Sequence, residues 1–323
     1  MFKSKSLFLI IMLYGTILTL SSNNWISMWM GLEINMMAFI PMMSYKNKNS
    51  AQAMMIYLLT QSISSMMLMF SIIMYQLTMI MEWHNIMMIS LLIKLGAAPF
   101  HMWLPEIMTK LTWISSSILL TWQKLAPLMM INSLNYNNKI MYISIIMSVI
   151  TGTVGGLNQL SLRKIMAYSS INHLGWMLSL TKIKNNWMTY LIIYSVLIWL
   201  TCFMFHQYNM IHINQINSIN MTMTEKMNYF IMMMSLGGLP PFLGFMPKWI
   251  AINTLMNNNL TIMVFIMIMF TLLSLYYYMR VMTGMMMNLS ASNKWISIKS
   301  NNFIIPMMMT NMSLPLIMII NLI

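Results

Sequence analysis

The stretch that decides the fold is Lys94-Leu-Gly-Ala-Ala-Pro-Phe-His-Met-Trp-Leu-Pro-Glu106, where a lysine, two prolines and a glutamate interrupt a hydrophobic segment. A lysine near the middle of an apolar membrane span costs about 2.5 to 3.5 kcal/mol to insert, which indicates a partner or a task. Pro99 and Pro105 lack a backbone donor and clash with the preceding turn, so they predict a break in the helix. Irregular backbone at membrane depth survives only where protein covers it or where it lines a water-filled cavity. Broken helices with a buried charge are typical of ion paths in transporters.

The composition around this stretch is that of a polytopic, all-α membrane protein. Of 323 residues 59% are hydrophobic and only 7% are charged, whereas about a quarter are charged in soluble domains. The net charge of +13 comes from cations scattered singly between apolar runs, so it does not indicate nucleic-acid binding. The single cysteine excludes a disulfide and a four-cysteine cluster within the chain. We find no phosphate, flavin, nicotinamide or metal motif, and we therefore expect no cofactor in this chain.

Hydrophobic runs predict eleven membrane helices in one integral membrane domain covering residues 1–323, because about 20 apolar residues cross a bilayer. The first and seventh runs are short, so ten or twelve spans remain open. The predicted helices are 7–21, 25–44, 51–79, 84–110, 113–133, 139–161, 164–180, 188–208, 227–253, 258–284 and 302–323.

Eleven spans sort the loop cations onto two faces. Eleven of the 17 lysines and arginines fall on the N-terminal face and three on the other, while three lysines lie within spans. This positive-inside bias predicts an N-terminus in the matrix or cytoplasm and a C-terminus on the opposite side.

A partial internal repeat accompanies the opening stretch. Leu95-Gly-Ala-Ala-Pro-Phe100 is echoed by Leu236-Gly-Gly-Leu-Pro-Pro-Phe242, and Pro247-Lys248 closes the second copy. Helices 4 and 9 carry the copies, and an odd step of five helices reverses their direction, as in inverted-topology repeats. We expect repeats over about 1–135 and 136–285, with a C-terminal helix over about 302–323. The second break would arise at Pro240, Pro241 and Pro247, and the lysine shared by both copies supports the repeat.

Four charged residues are predicted near the bilayer midplane or beside a break. Glu33, Lys94 and Lys124 lie roughly 13 to 17 Å deep in their helices, and Lys248 follows the second break. One interpretation is a structural ion pair between Glu33 and a lysine, with the other lysines snorkelling to an interface. The alternative is proton transfer, because one carboxylate leaves two lysines unpaired and burial disfavours their charged form.

Two histidines, His101 and His173, are weaker candidates for proton transfer. A lone histidine within a helix is usually a hydrogen-bonded packing residue, although an imidazole can also relay protons near neutral pH.

Five stretches together resemble the subunit 2 family of mitochondrial NADH:ubiquinone oxidoreductase, respiratory complex I, which belongs with the antiporter-like subunits. They run in order from helix 2 to helix 9: Trp29-Met-Gly-Leu-Glu-Ile-Asn35 with Phe39-Ile-Pro41, Lys94 to Glu106, Trp122-Gln-Lys-Leu-Ala-Pro127, Ala167-Tyr-Ser-Ser-Ile-Asn-His-Leu-Gly-Trp176, and Gly237-Gly-Leu-Pro-Pro-Phe-Leu-Gly-Phe-Met-Pro-Lys-Trp249.

The resemblance implies one proton-translocation route in the membrane arm of complex I. Lys94 matches the first buried lysine of the family, and Glu33 matches its acidic partner. Lys124 matches the central lysine, and Lys248 matches the lysine on the second broken helix. NADH, FMN, iron-sulfur clusters and ubiquinone would be bound by other subunits. The implied partners are membrane-arm subunits, especially subunits 4 and 4L, and lipids such as cardiolipin. The implied location is the mitochondrial inner membrane, with the N-terminus in the matrix and the C-terminus in the intermembrane space.

Two other functions stay open at this point. A sodium/proton antiporter component would need oxygen ligands for sodium, and the chain has no aspartate and one midplane carboxylate. A structural spacer of a respiratory assembly would give the buried charges no role in coupling.

Overall fold

A computed structural model describes residues 2–44, 48–134, 138–183, 186–218, 222–287 and 304–313. These residues are helical throughout, apart from connecting turns and one isolated bridge between Ser161 and His212. The helices are α1 (Phe2–Ser21), α2 (Trp25–Met43), α3 (Lys48–Thr78), α4 (Glu82–Leu95), α5 (Trp103–Lys110), α6 (Trp113–Ser133), α7 (Asn138–Val154), α8 (Leu162–Ile183), α9 (Trp187–Gln207), α10 (Ile213–Ser218), α11 (Met223–Gly237), α12 (Phe245–Asn257), α13 (Thr261–Met287) and α14 (Ile304–Asn311).

The all-α prediction is confirmed, and the fourth and ninth predicted spans are interrupted as expected. The predicted fourth span is split into α4 and α5, and the ninth into α11 and α12. The short helix α10 was not predicted, because its sequence is polar and too short to show a helical period. The predicted last helix corresponds to α14, and residues 314–323 lie outside the described residues.

Four of the described helices are long and apolar enough to cross a membrane by themselves. They cover Trp25–Met43, Asn49–Thr78, Trp187–Gln207 and Thr261–Gly284. The helices α6 and α8 are as long as α2 but carry many serines and a lysine or histidine at their centres. These polar centres are buried among other helices, which is where polar groups in a membrane protein are expected.

Close glycine contacts hold two helix pairs together. A Cβ atom on Gly31 of α2 would lie 2.8 Å from the carbonyl oxygen of Gly15 in α1, and one on Gly152 of α7 would lie 2.5 Å from the backbone nitrogen of Asn172 in α8. Small residues allow backbones to approach in this way where lipid offers no hydrophobic drive for helix association. The pairs α1–α2 and α7–α8 therefore use the same packing device.

The centre of the bundle is α8, which is buried along nearly its whole length. It contacts α5, α6, α7, α9 and α12. Since α5 and α12 are the halves that follow the two helix breaks, α8 lies between the two breaks and brings its polar face to both.

Candidate functional site

The first helix break follows Lys94. Helix α4 ends at Leu95, and Gly96 adopts the left-handed conformation with φ of 69°. The Gly96 amide donates to the Ile93 carbonyl and the Ala97 amide donates to the Leu92 carbonyl, both at 3.1 Å. This glycine cap satisfies carbonyls that have no partner inside the helix. The chain then turns through Pro99 and restarts as α5 at Trp103.

The second break has the same construction. Gly238 is left-handed with φ of 79°, and its amide donates to the carbonyls of Met234 and Ser235 at 3.0 Å. The Leu239 amide also donates to Met234, at 3.3 Å. After Pro240 and Pro241 the chain restarts as α12 at Phe245. The C-terminal ends of α4 and α11 are therefore closed by the same type of glycine cap.

Two prolines predicted to break helices lie elsewhere. Pro105 and Pro247 are each the third residue of α5 and α12. Backbone amides in a first turn have no intrahelical acceptor, so a proline there costs no hydrogen bond. The prediction was wrong for these two residues, which stand at helix starts, whereas Pro99, Pro240 and Pro241 lie within the breaks.

The capping glycines also correct the register of the internal echo. Gly96 corresponds to Gly238, not to Gly237 as the sequence echo suggested, because these two residues share the left-handed conformation and the bonding pattern. In this register Lys94 precedes its break, whereas Lys248 follows its own break and matches Glu106. The lysine is therefore not a shared feature of the two copies.

Glu33 and Lys94 form an ion pair between α2 and α4, with the carboxylate oxygen Oε1 3.8 Å from the ammonium nitrogen. The side chain of Lys94 is 3% exposed and that of Glu33 is 23% exposed. The distance is at the long end for a charged pair, and Oε1 is buried without a hydrogen bond. The ion pair is therefore long, and the Glu33 side chain is partly exposed at the surface of the bundle.

A small cavity joins Lys94 to Lys124. Its volume is about 20 Å³, and a water needs about 10 to 15 Å³ and two to four polar partners. Besides the two lysines, polar side chains from α2, α3 and α6 line it, namely Asn35, Tyr57, Gln61 and Gln123. The Tyr57 hydroxyl donates to the side-chain oxygen Oε1 of Gln123 at 3.3 Å, and the side-chain nitrogen Nε2 of Gln123 donates to Oδ1 of Asn35 at 3.0 Å. The cavity therefore offers a polar site for a water between the two lysines.

Lys124 lies at the centre of the bundle on α6 and is buried. Its ammonium donates to the Ser170 carbonyl of α8 at 3.2 Å and to the hydroxyl of Tyr194 on α9 at 3.4 Å. The ammonium also lies 4.8 Å from the centre of the Tyr194 ring, within the range of a cation–π contact.

His173 lies on α8 between the central lysine and the second break. Its Nδ1 is 2.9 Å from the hydroxyl of Tyr190, and its ring approaches the carbonyl of Leu236, at the end of α11. His173 interacts electrostatically with both Lys124 and Lys248. Lys248 in turn donates to the Gly237 carbonyl at 2.6 Å. The structure therefore brings His173, Lys124 and Lys248 into one buried cluster.

Other charged residues of the opening stretch face outward. The ring nitrogen Nδ1 of His101 lies 3.3 Å from the Pro99 carbonyl oxygen, and Glu106 is exposed. Glu225 is buried and closes the capping box of α11 with Thr222. These three residues lie apart from the series of buried lysines. Among the described residues, no group of three or more His, Cys, Asp or Glu could hold a metal ion.

Sequence reasoning missed the uncharged members of the site. These are Asn35, Tyr57, Gln61, Gln123, Tyr190 and Tyr194. A signal existed for four of them, since Tyr57 and Gln61, and likewise Tyr190 and Tyr194, are spaced by four residues and share one helix face. The sequence alone did not show that the first pair lies beside Lys94 and the second beside Lys124 and His173.

Comparison with known proteins identifies the family of this chain. The family model described as NADH:quinone oxidoreductase/Mrp antiporter, TM, matches residues 22–274. Proteins called NADH-ubiquinone oxidoreductase chain 2 are 44% identical in Locusta migratoria, over 95% of this chain and 93% of the relative, and 39% identical in Mammuthus primigenius, over 85% and 83%.

Two solved structures share the fold. A chain of respiratory complex I from Thermus thermophilus with bound aureothin has a TM-score of 0.81 at 19% identity, over 87% of this chain and 70% of that chain. A chain of the Mrp complex from Dietzia sp. DQ12-45-1b has a TM-score of 0.77 at 14% identity, over 86% and 59%. The chain therefore belongs to the NADH:quinone oxidoreductase/Mrp antiporter family of membrane proteins and, within it, to the NADH-ubiquinone oxidoreductase chain 2 proteins.

Proposed function

We propose that this chain is an antiporter-like subunit of the membrane arm of a proton-translocating NADH:ubiquinone oxidoreductase. It takes part in the enzyme as a proton carrier and holds no redox centre itself. The observation that carries the proposal is the row of buried charged and polar side chains through the bundle. Glu33 pairs with Lys94, a cavity joins Lys94 to Lys124, and His173 lies within electrostatic reach of both Lys124 and Lys248. NADH, FMN, iron-sulfur clusters and ubiquinone belong to other subunits.

The Glu33–Lys94 pair acts as the switch of this route. At 3.8 Å the attraction between two unit charges is about 4 kcal/mol at an effective dielectric constant near 20. Moving one charge against a membrane potential of roughly 150 mV costs about 3.5 kcal/mol. Because the two energies are similar, making or breaking the pair changes the proton affinity of Lys94 enough to drive one transfer towards Lys124.

The open side of Glu33 supports a position for a partner subunit on the outer face of α2. A carboxylate that is 23% exposed would be costly against lipid at membrane depth. A neighbouring subunit that covers it would also be able to loosen the ion pair. We assign this position to a membrane-arm subunit, subunit 4L or subunit 4, with lipids such as cardiolipin on the remaining faces.

The orientation follows from the loop cations. We place the protein in the mitochondrial inner membrane, with its N-terminus in the matrix and its C-terminus in the intermembrane space. The matching caps at Gly96 and Gly238 and the matching glycine contacts of α1–α2 and α7–α8 support inverted repeats over about 1–135 and 136–285. With each broken helix counted as one unit, the described helices support ten membrane-crossing units, and we assign the eleventh to the predicted span 302–323.

The proposal is tested by replacing Lys94 with methionine in the assembled complex in sealed vesicles. Lys94→Met keeps the apolar stem but cannot carry a proton, so we expect fewer protons translocated per NADH oxidised. Lys110→Met is the control, because Lys110 ends α5 away from the cavity. Assembly is measured on native gels by co-migration with NADH dehydrogenase activity. An unchanged proton-to-electron ratio in assembled Lys94→Met complex would falsify the proposal.

A further inference from the structure

We propose that Tyr194 is a catalytic residue of the proton route, the group through which a proton leaves Lys124 towards His173 and Lys248. This inference rests on the proposed function. Tyr194 lies on α9, is 1% exposed and contacts the central lysine directly.

The contacts of the Lys124 ammonium leave one proton-conducting partner among the described side chains and backbone groups that it touches. Of its two hydrogen-bond acceptors, the Ser170 carbonyl can accept but holds no proton that it could pass on. The Tyr194 hydroxyl is both donor and acceptor, so it can receive one proton while releasing another. The hydroxyl therefore provides the exit on this side of the lysine.

The onward path from Tyr194 leads to the second break. Its ring centre is 5.0 Å from that of His173, and His173 is hydrogen-bonded to Tyr190 one turn away on the same face of α9. The carbonyl contact of His173 lies beside Gly237, whose carbonyl accepts from Lys248.

The transfer step is balanced without forming a charged tyrosine. The Lys124 ammonium gives a proton to the Tyr194 oxygen as the phenolic proton of Tyr194 passes to a water or to His173. One N–H bond and one O–H bond break while one O–H bond and one new bond to the acceptor form. The neutral Lys124 then receives a proton from the Lys94 ammonium through a water in the cavity that the two lysines share, and the Tyr194 hydroxyl rotates to accept again from Lys124.

A purely structural role for Tyr194 would rest on its ring, whose face lies 4.8 Å from the ammonium. Replacing Tyr194 with phenylalanine separates the two roles, because the ring and its packing remain while the hydroxyl is lost. Tyr229→Phe is a matched control. Tyr229 is also 1% exposed, and its ring packs against Phe205.

The experiment measures proton translocation per NADH oxidised in assembled complexes that carry Tyr194→Phe, Tyr229→Phe or Lys124→Met. A positioned proton-transfer group contributes roughly 10²- to 10⁴-fold, so we expect translocation through this route to fall about tenfold or more in Tyr194→Phe. We expect no change in Tyr229→Phe.

The outcomes separate the two proposals. A loss with Lys124→Met but none with Tyr194→Phe overturns the role of Tyr194 and leaves the proposed function standing. No loss with Lys124→Met overturns both. If Tyr194→Phe does not assemble, Tyr194→His and Tyr194→Met replace it. Greater translocation with histidine, which can relay a proton, supports the inference, and equal translocation by the two variants refutes it.

Discussion

The two broken helices share one type of glycine cap, but they differ in the side chains that donate hydrogen bonds to the free backbone carbonyls at the break. At the first break the donors are always neutral, since the Trp103 indole donates to Ile93 at 3.1 Å and the Gln61 amide donates to Lys94 at 3.3 Å. At the second break the contacts come from titratable groups, Lys248 on Gly237 and His173 beside Leu236. The first break therefore keeps its contacts whatever its protonation state, whereas those of the second change when a proton arrives or leaves.

The second break also has an additional cover. The Leu243 amide donates to the Asn311 carbonyl of α14 at 3.1 Å, and the Ser235 hydroxyl donates to the Asn311 side chain at 3.4 Å. Because α14 closes hydrogen bonds on both sides of the break, the C-terminal helix becomes part of the same structural unit. The difference is that the first break is closed by neutral donors beside the ion pair, whereas the second is closed by titratable groups.

The largest expected difference between the breaks comes from removing one carbonyl donor from each. Lys248→Met removes a proton carrier and the charged donor to Gly237, so we expect proton translocation through this route to fall about tenfold or more. Trp103→Phe removes the neutral donor to the Ile93 carbonyl and should cost about 0.5 to 1.5 kcal/mol of stability, with coupling in the assembled complex largely retained. Vesicle proton uptake and thermal inactivation measure the two effects. Equal loss of coupling in both variants would contradict the contrast.

A smaller and more specific difference is expected from the capping glycines. Gly96→Ala and Gly238→Ala both place a side chain in the left-handed region, at a cost of roughly 1 to 2 kcal/mol. At Gly238 the new Cβ would lie 2.7 Å from the side-chain nitrogen of Lys248. At Gly96 it would instead lie 3.1 Å from side-chain atoms of Leu104 and Trp103. We expect similar losses of thermal stability but reduced proton translocation only in Gly238→Ala. If Gly96→Ala reduced translocation and Gly238→Ala did not, the first break and not the second would be the one coupled to the proton.

The smallest expected difference is in the pH dependence of amide hydrogen exchange at the two caps. A hydrogen bond from a charged donor is stronger than one from a neutral donor by about 1 kcal/mol. Loss of the Lys248 proton as pH rises should therefore accelerate exchange at Gly238 and Leu239 by about fivefold beyond the intrinsic chemical rate. Gly96 and Ala97 should follow the intrinsic rate alone. Mass spectrometry of the intact complex can compare them, and parallel behaviour would show that the second break does not sense the proton.

Much of the fold followed from local chemistry. Low charge and long apolar runs required buried helices, and prolines with glycines at 96–99 and 237–241 required interruptions in two of them. Glu33, Lys94, Lys124 and Lys248 stood out because a charge in an apolar span is costly wherever the helix lies. The placement of Pro105 and Pro247 at helix starts was missed, since a proline disfavours the turn before it but suits the first turn after it.

The sequence by itself therefore determined the class of fold, the two interruptions and the buried charges, because each depends on residues close together in the chain. Only the tertiary structure decided which groups meet. It set Tyr194 against Lys124 across 70 residues and brought the Gln61 side chain to the Lys94 carbonyl across 33 residues, whereas the pairing of Glu33 with Lys94 was already implied by the family resemblance. Such contacts depend on how α8 packs between the two breaks, and helical spacing along one chain segment does not specify that packing.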